Sequence, residues 1–302
     1  GVGGDLRGNA LLESRHERGG AALWVATDDL GLARLRAGVW TLFDTSTGLP
    51  HNRVWGLAET VDETGTVSIW AGTEGGLARL AAGSDRFAPV PGFPGGSVNS
   101  VLDSREPDGS RTLWVGTYGQ GLARLNRGVW TTLRAADGLP SDFVTSLRTV
   151  ADSTTGAIWA GTDGGGVARI EAGAVQRVLD LGTGLPSNAV YALFETTAET
   201  GVRALWVGTR NGGLARVKDD QWRSFQPIPQ LAALPVTCLL ETREHDGASA
   251  MWFGTDGGGL ARLLRGAWTV FDRRSGALPS DYVTCLLASE ETPGEPAIWV
   301  GT

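Results

Sequence analysis

One pattern recurs along the whole chain and limits what it can fold into: a Trp preceded by an apolar residue and followed three residues later by Thr. The residue before this Thr is Gly in six copies and Ala in the first. Repeats of about 20 to 50 residues are typical of solenoids, propellers and other arrays. Seven copies, 44 to 47 residues apart, are centred on Trp24, Trp70, Trp114, Trp159, Trp206, Trp252 and Trp299.

Each repeat contains four short apolar segments bounded by Gly, Pro, Asp or Thr. Segments of this length and composition indicate β-strands and are too short for helices. The first two segments are apolar almost continuously, as expected for strands that are covered on both faces. In the fourth repeat we predict strands a, b, c and d at Val144 to Arg148, Ile158 to Gly161, Val167 to Ile170 and Val175 to Leu179.

Four antiparallel strands in each repeat predict an all-β fold, a seven-bladed β-propeller of four-stranded antiparallel blades with an incomplete last blade. Strands a and b occur seven times, whereas strands c and d occur six times. An open β-solenoid is the alternative, and it would favour shorter repeats. The incomplete blade would leave a strand edge open to pairing with another chain. We expect residues 1–302 to form a single domain, with blade repeats that begin near residues 9, 54, 98, 144, 190, 236 and 283.

The fifth repeat shows the motif in full, and the resemblance to it extends over the whole chain. Its residues are Gly184, Leu185, Pro186, Ser187, Asn188 and Val190, then Leu205 to Thr209, then Gly212 to Leu214. The segment before strand a departs from the motif in three repeats, at residues 5–7, 92–95 and 233–235. With these motifs the chain resembles the two-component regulator propeller repeat family, periplasmic sensor β-propellers of hybrid two-component systems. The resemblance implies a bacterial, non-catalytic ligand-binding or sensor module of an extracytoplasmic signalling protein. A cytoplasmic location stays open.

Charge and composition exclude several classes of partner. The formal net charge is −7 and the Lys and Arg residues are dispersed, so the chain would repel nucleic acid. No run approaches the roughly 18 apolar residues of a membrane span. Cys238 and Cys285 lack the spacing of a zinc site, so we expect no metal and no cofactor. We predict that both are buried free thiols rather than a disulfide.

Two residue types recur so regularly that we assign them to the fold. The Trp of strand b stands between apolar neighbours in every repeat and is predicted to pack between sheets. The arginines of strand c could form a cationic ring, but a guanidinium fixed in every blade more often pairs with a carboxylate or stacks on a Trp of the next blade. These arginines are Arg34, Arg79, Arg124, Arg169, Arg216 and Arg262.

Side chains that differ between repeats are the candidates for function. The b-to-c turns and d-to-a loops open on one side of a propeller, where aromatics, carboxylates, Arg and His would suit a sugar or a peptide. We therefore predict a small glycan or peptide ligand, or a protein partner, while ordinary solvated loops remain the alternative. The candidate ligand-binding residues are His51, Arg53, Trp55, Glu74, Tyr118, Phe143, Asp163, Tyr191, Arg210, Asp256 and Tyr282.

Two other functions are consistent with the sequence. The a-to-b loops are longer and charged, so a protein–protein interaction scaffold or assembly component is the alternative to a sensor. A propeller lyase or hydrolase is the third hypothesis. His16, His51 and His245 do not form a two-His site or a Ser-His-Asp order, so we expect a protein without catalytic residues.

Overall fold

The computed structural model describes residues 8–16, 20–150, 155–197, 203–218, 221–225, 234–292 and 295–302. These residues form an all-β fold, a β-propeller of six blades in which each blade is a sheet of four antiparallel strands. Strand order in each blade follows the chain, from strand a to strand d. The chain divides between Val144 and Thr145 into two compact units. The prediction of a single domain stays a prediction.

The first unit holds three blades and the second holds three more, followed by a two-stranded sheet. The blades of the first unit are β1 (Gly8–Ser14), β2 (Ala22–Thr27), β3 (Leu32–Arg36) and β4 (Val39–Phe43); β5 (Val54–Val61), β6 (Val67–Thr73), β7 (Gly76–Ala81) and β8 (Ala88–Pro89); and β9 (Val98–Arg105), β10 (Arg111–Thr117), β11 (Leu122–Asn126) and β12 (Val129–Leu133).

The strands of the second unit are β13 (Val144–Thr149), β14 (Ile158–Thr162), β15 (Gly166–Glu171) and β16 (Ala174–Leu179); β17 (Val190–Thr197), β18 (Arg203–Thr209), β19 (Leu214–Lys218) and β20 (Gln221–Phe225); β21 (Val236–Arg243), β22 (Ser249–Thr255), β23 (Leu260–Leu264) and β24 (Ala267–Phe271); and β25 (Cys285–Thr292) with β26 (Glu295–Gly301). Short 3-10 turns lie at Thr45–Thr47, Ala135–Asp137 and Leu181–Thr183.

The prediction of seven blades is wrong, because six sheets have four strands and β25 pairs with β26 in a sheet of two. The blade count rested on the repeated Trp, which marks strand b alone. A strand b with only strand a beside it is a hairpin and not a blade. The four strands predicted for the fourth repeat agree with β13 to β16 to within one residue at each end.

The Trp of strand b packs inside the sheets, as predicted, and Trp24 and Trp114 are buried. Its indole Nε1 usually donates a hydrogen bond to a Ser or Thr ten residues earlier, on strand a of the same blade, which satisfies the one polar atom of a buried ring. These pairs are Trp70 with Thr60, Trp114 with Ser104, Trp206 with Thr196, Trp252 with Thr242 and Trp299 with Ser289, at 2.9 to 3.2 Å.

The Thr of the motif closes the turn between strands b and c. Thr73 Oγ1 donates a hydrogen bond of 2.8 Å to the carbonyl of Gly76, and Gly75 N–H donates to Thr73 Oγ1 at 3.2 Å. All six four-stranded blades have a buried Thr at this place. The hydroxyl therefore fixes the geometry of the turn whose next residues are exposed.

Five of the six strand-c arginines stack on the Trp of their own blade, so the alternative of stacking on a Trp of the next blade is wrong. Each guanidinium carbon lies 5.2 to 5.4 Å from the indole centroid, because Arg and Trp are paired directly across strands b and c. The other alternative, pairing with a carboxylate, is found for Arg124, Arg169 and Arg262. In the fourth blade, Arg169 lies opposite Trp159 in the strand pairing, and its guanidinium pairs with Glu171 at 2.8 Å. The arginines thus support the fold rather than a shared cationic ring. The stacked pairs are Arg34 on Trp24, Arg79 on Trp70, Arg124 on Trp114, Arg216 on Trp206 and Arg262 on Trp252.

Cys238 and Cys285 are free thiols, which confirms the prediction that they form no disulfide. Burial raises the pKa of the Cys238 thiol to about 12, with a further contribution from Cys285. In the described part of the chain, no helix is long and apolar enough to cross a membrane.

Candidate functional site

The candidate side chains follow a turn that the backbone holds rigidly. In each of four blades, the residue after Gly-Thr donates its N–H to the carbonyl of the residue that precedes strand a of the same blade. This bond joins the b-to-c turn to the d-to-a connection at one end of the sheet. The four bonds are Glu74 to Arg53 (3.1 Å), Tyr118 to Ser97 (2.9 Å), Arg210 to Ala189 (2.8 Å) and Asp256 to Pro235 (3.0 Å).

In the first unit, Arg53 connects the turns of two neighbouring blades. Its Nε lies 2.9 Å from Asp28 Oδ1 and its terminal nitrogen lies 2.8 Å from Glu74 Oε2. The Asp28 carboxylate, followed by that of Glu74, raises the pKa of Arg53. His51 Nδ1 accepts a hydrogen bond of 3.0 Å from the Arg53 N–H and lies 3.8 Å from Glu74 Oε2. These four groups form one exposed polar cluster.

Asp28 belongs to this cluster but was missed in the sequence analysis. It follows Thr27, so it occupies in the first blade the position that Glu74 occupies in the second. The repeated motif could have identified Asp28, because Thr27 follows Trp24 by three residues, as the motif Thr follows the Trp in every other repeat.

A second pair of candidates, Tyr118 and Phe143, forms an exposed aromatic surface in the first unit. Tyr118 follows Gly-Thr in the third blade, and Phe143 precedes strand a of the next repeat. Their ring centroids lie 4.8 Å apart at an interplanar angle of 72°, an edge-to-face contact. The side chains are 58% and 39% exposed. A backbone bridge between the two residues holds the pair in place.

In the second unit, Asp256 and Tyr282 repeat this arrangement with different chemistry. They form an isolated antiparallel bridge, and Tyr282 is 61% exposed. Arg210 is exposed and Asp163 is half-buried at the corresponding turns of the fifth and fourth blades. The structure thus brings two pairs of candidates together in the same way, Tyr118 with Phe143 and Asp256 with Tyr282. In both pairs, one residue follows Gly-Thr and the other precedes strand a of the next repeat. Arg53 and Glu74 also meet, but within one blade.

Trp55 and Tyr191 lie at a β-bulge, a feature that the sequence analysis did not identify. The strand pairing shifts between Val54 and Gly56, and again between Val190 and Ala192. Both aromatic side chains are half-buried. Other blades carry at this position a polar side chain that donates to the first carbonyl of the next repeat. These donors are Asn9 to Val54 (3.0 Å), Asn99 to Val144 (3.0 Å), Thr145 to Val190 (2.5 Å) and Thr237 to Val283.

The chemistry of these groups is that of recognition. Aromatic faces such as Tyr118 and Phe143 stack on flat or apolar ligand surfaces, and a guanidinium held between two carboxylates offers both donors and acceptors. In the described residues, no group of three or more His, Cys, Asp or Glu side chains is placed to hold a metal ion.

No family model matches the chain, and no curated protein sequence matches it. Among solved structures, the chain is similar to the extracellular domain of BT4673 from B. thetaiotaomicron, described as a one-component system. The TM-score is 0.72 at 20% identity, and the match covers 100% of this chain and 38% of that one. This chain therefore spans well under half the length of that neighbour.

Two enzymes have similar folds. An ancestral GH74 enzyme matches with a TM-score of 0.69 at 15% identity, over 98% of this chain and 44% of the other. A catalytically inactive virginiamycin B lyase from Staphylococcus aureus, solved with quinupristin, matches with a TM-score of 0.67 at 14% identity, over 99% and 94%. At these identities the likenesses establish the β-propeller fold alone.

Proposed function

We propose that this chain is a non-catalytic ligand-binding or sensor propeller of an extracytoplasmic signalling protein. The observation that carries the proposal is the exposed Tyr118–Phe143 pair. The similarity to an extracellular domain over the full length of this chain supports the location and the sensor role. The motif residues around Trp206 support membership of the two-component regulator propeller repeat family.

The aromatic pair favours a binding role because the fold does not need it. The motif Trp, Gly, Thr and Arg residues make the contacts that hold each blade together, and they recur in nearly every repeat. Tyr118 and Phe143 occur once each, and they leave large apolar surfaces in water. Exposed aromatic surface beside polar groups is typical of ligand sites. A small glycan or a peptide fits this combination.

Tyr118→Ala should test the site directly. A glycan array and a peptide array screened with the wild-type chain would select a ligand, whose affinity is then measured by isothermal titration calorimetry. Loss of a stacked aromatic ring and its buried area should weaken binding about tenfold. The melting temperature should hardly change, because the ring is exposed. Val129→Ala is the matched control, since Val129 is an exposed apolar residue of the same blade, on β12.

Binding that survives Tyr118→Ala and Phe143→Ala together would contradict the assignment of this pair. A ligand that is turned over rather than bound would replace the non-catalytic proposal with the lyase or hydrolase hypothesis. Loss of that turnover in His51→Ala would then place the chemistry in the polar cluster of Asp28, His51, Arg53 and Glu74.

The outer strand of the first blade favours a second candidate function, a protein-interaction scaffold. Trp40 on β4 is 42% exposed, and Val39 and Leu42 beside it are exposed as well. The corresponding Trp130 is half-buried, because its ring packs against Phe93 of the preceding blade with centroids 5.2 Å apart. A protein partner lost on Trp40→Ala but retained on Tyr118→Ala would favour the scaffold.

A further inference from the structure

A separate cleft opens in the first unit, at the end of the sheets opposite the Tyr118–Phe143 pair. Its volume is about 340 Å³, at the lower limit of the roughly 300–1,000 Å³ typical of small-molecule sites. Strand β3 of the first blade forms one wall. The other wall comes from the second blade, from β6, β7 and the turns at Thr64–Thr66 and Ala81–Asp85. None of the candidate residues from the sequence analysis lines it.

Cationic and apolar groups face each other across the cleft. Arg34 and Arg36 project from the same face of β3, because residues two apart on a strand share a face. Val67, Ile69 and Leu80 form the opposite, apolar wall and are buried. An anionic group held by the arginines could therefore place an apolar body against these three side chains.

Among the described residues that line the cleft, the ionisable side chains are those of His16, Arg34, Arg36 and Asp85. Asp85 is the carboxylate on the rim, and it is exposed. His16 also lines the cleft, and its Nδ1 lies 2.6 Å from Glu59 Oε1, whereas the buried Glu59 Oε2 has no hydrogen-bond partner among the described residues. Arg34 and Arg36 each interact with other residues, and a guanidinium has five N–H donors with which it can bind more than one acceptor.

The walls are organised without a ligand. The Arg34 guanidinium lies 5.3 Å from the centroids of both Trp24 and Phe43, which fixes its plane. The turn at Thr64–Thr66 is held by Asp62, whose Oδ1 accepts hydrogen bonds from the N–H groups of Thr64 and Thr66 at 2.9 Å each. A site with fixed walls loses little conformational entropy when it binds.

Arg36 is not explained by the repeat. The residue two places after the strand-c Arg differs in every blade, so the fold does not require an arginine there. The residues at this place are Arg36, Ala81, Asn126, Glu171, Lys218 and Leu264. We propose that the cleft between the first two blades binds a small carboxylate with an apolar body, with Arg36 as the specificity-determining cation. This site is independent of the proposed Tyr118–Phe143 site.

Isothermal titration calorimetry with simple acids tests the proposal on the full chain. Benzoate and hexanoate should bind at least about tenfold more tightly than benzamide and hexanamide, which have similar shapes but no charge. Acetate should bind more weakly than either acid, because it has the charge without the apolar body. Equal binding of acids and amides, or no binding of either acid at millimolar concentration, would overturn the proposal.

Three variants then locate the site. Arg36→Gln should weaken benzoate binding about tenfold, and Asp85→Asn should tighten it about twofold by removing a repelling charge. A gain of affinity is a result that damage to the fold would not produce. Lys218→Gln is the matched control, because Lys218 has the same place in the fifth blade and should leave binding unchanged. Unchanged affinity in Arg36→Gln, with melting temperatures equal to wild type, would exclude this cleft.

Discussion

The glycine of the motif lies where strand b of one blade meets the first residue of strand a in the next. A Cβ added at Gly161 would lie 2.7 Å from Val190 Cγ1, and one added at Gly208 would lie 2.8 Å from Val236 Cγ1. Real Cβ atoms do not approach so closely. Glycine is therefore required at Gly161 and Gly208 for packing between blades, and neither φ angle is positive. The first blade has Ala26 at this place.

Gly161→Ala should destabilise the protein by roughly 1–3 kcal/mol, because the new methyl group overpacks a buried contact with Val190. Urea denaturation followed by circular dichroism would measure the change. Gly96→Ala is the control. Its Cβ would meet no atom within 4 Å, and its φ is not positive, so its effect should be within a few tenths of a kcal/mol. Equal stability of the two variants would contradict this account of the motif glycine.

The sequence predicted the role of a residue correctly where the same residue type stands at the same position of every blade and has the same structural role in each. The Trp of strand b was identified correctly as structural, because its neighbours repeat with it. The direction of the Arg34 stack was not predictable, because sequence separation alone does not say whether Trp24 or a Trp of another blade lies beneath it. Strand register decides it, since Arg34 pairs directly with Trp24.

At the scale of the strand, the β-bulge at the start of strand a connects neighbouring blades. The pairing shift leaves the second residue of the strand outside the ladder, so its side chain can reach the next repeat. Asn99 Nδ2 donates to the Val144 carbonyl at 3.0 Å, and Asn9 does the same to Val54. At the bulge, the second residue of strand a is left out of the pairing with strand b, and its side chain forms a hydrogen bond to the next sheet instead.

Asn99→Ala should therefore cost about 1–2 kcal/mol, because it leaves a part-buried carbonyl without its donor. Thermal denaturation at matched protein concentration would report the change. Trp55→Ala at the same bulge position in the second blade should hardly change the melting temperature if its ring serves a ligand. A larger loss for Trp55→Ala than for Asn99→Ala would assign Trp55 to the fold and remove it from the candidate site.

Strand positions were predictable, but bulges and inter-blade pairs were not. Short apolar runs bounded by Gly and Pro located β13 to β16 to within one residue at each end. A bulge leaves the run apolar and changes only which residues oppose each other, so the sequence singled out Trp55 and Tyr191 as candidate binding residues but did not predict the bulge at which they lie. The Tyr118–Phe143 contact joins residues of different repeats. Predicting it would have required knowledge of how neighbouring blades pack.

At the scale of the molecule, the blade count depends on how many strands each sheet contains. In the described residues, strand b of each of the six blades pairs with strand a on one edge and strand c on the other. Among the strands that the structure describes, β26 pairs with β25 alone. Counting Trp residues predicted seven blades, whereas counting completed sheets gives six. The remaining edge of β26 carries backbone N–H and C=O groups that could pair with a further strand.

The register of the other blades defines which strand fits this edge. Trp252 pairs with Arg262, and the same Trp–Arg pairing recurs in all six blades. Appending the sequence of Asp256 to Phe271 directly after Thr302 would place its Arg ten residues after Trp299, the separation between Trp252 and Arg262. The guanidinium could then stack on the Trp299 indole as Arg262 stacks on Trp252 at 5.4 Å.

The extended chain should therefore melt a few degrees higher than the 302-residue chain, because two strands add ladder hydrogen bonds and bury apolar area. Differential scanning calorimetry would measure the shift. Hydrogen exchange should also show slower exchange for the amides of β26. A control extension with Pro at two ladder positions has nearly the same length and composition, but it cannot pair as a strand and should give no shift. An equal rise for both extensions, or no rise for either, would show that the edge of β26 does not accept a strand.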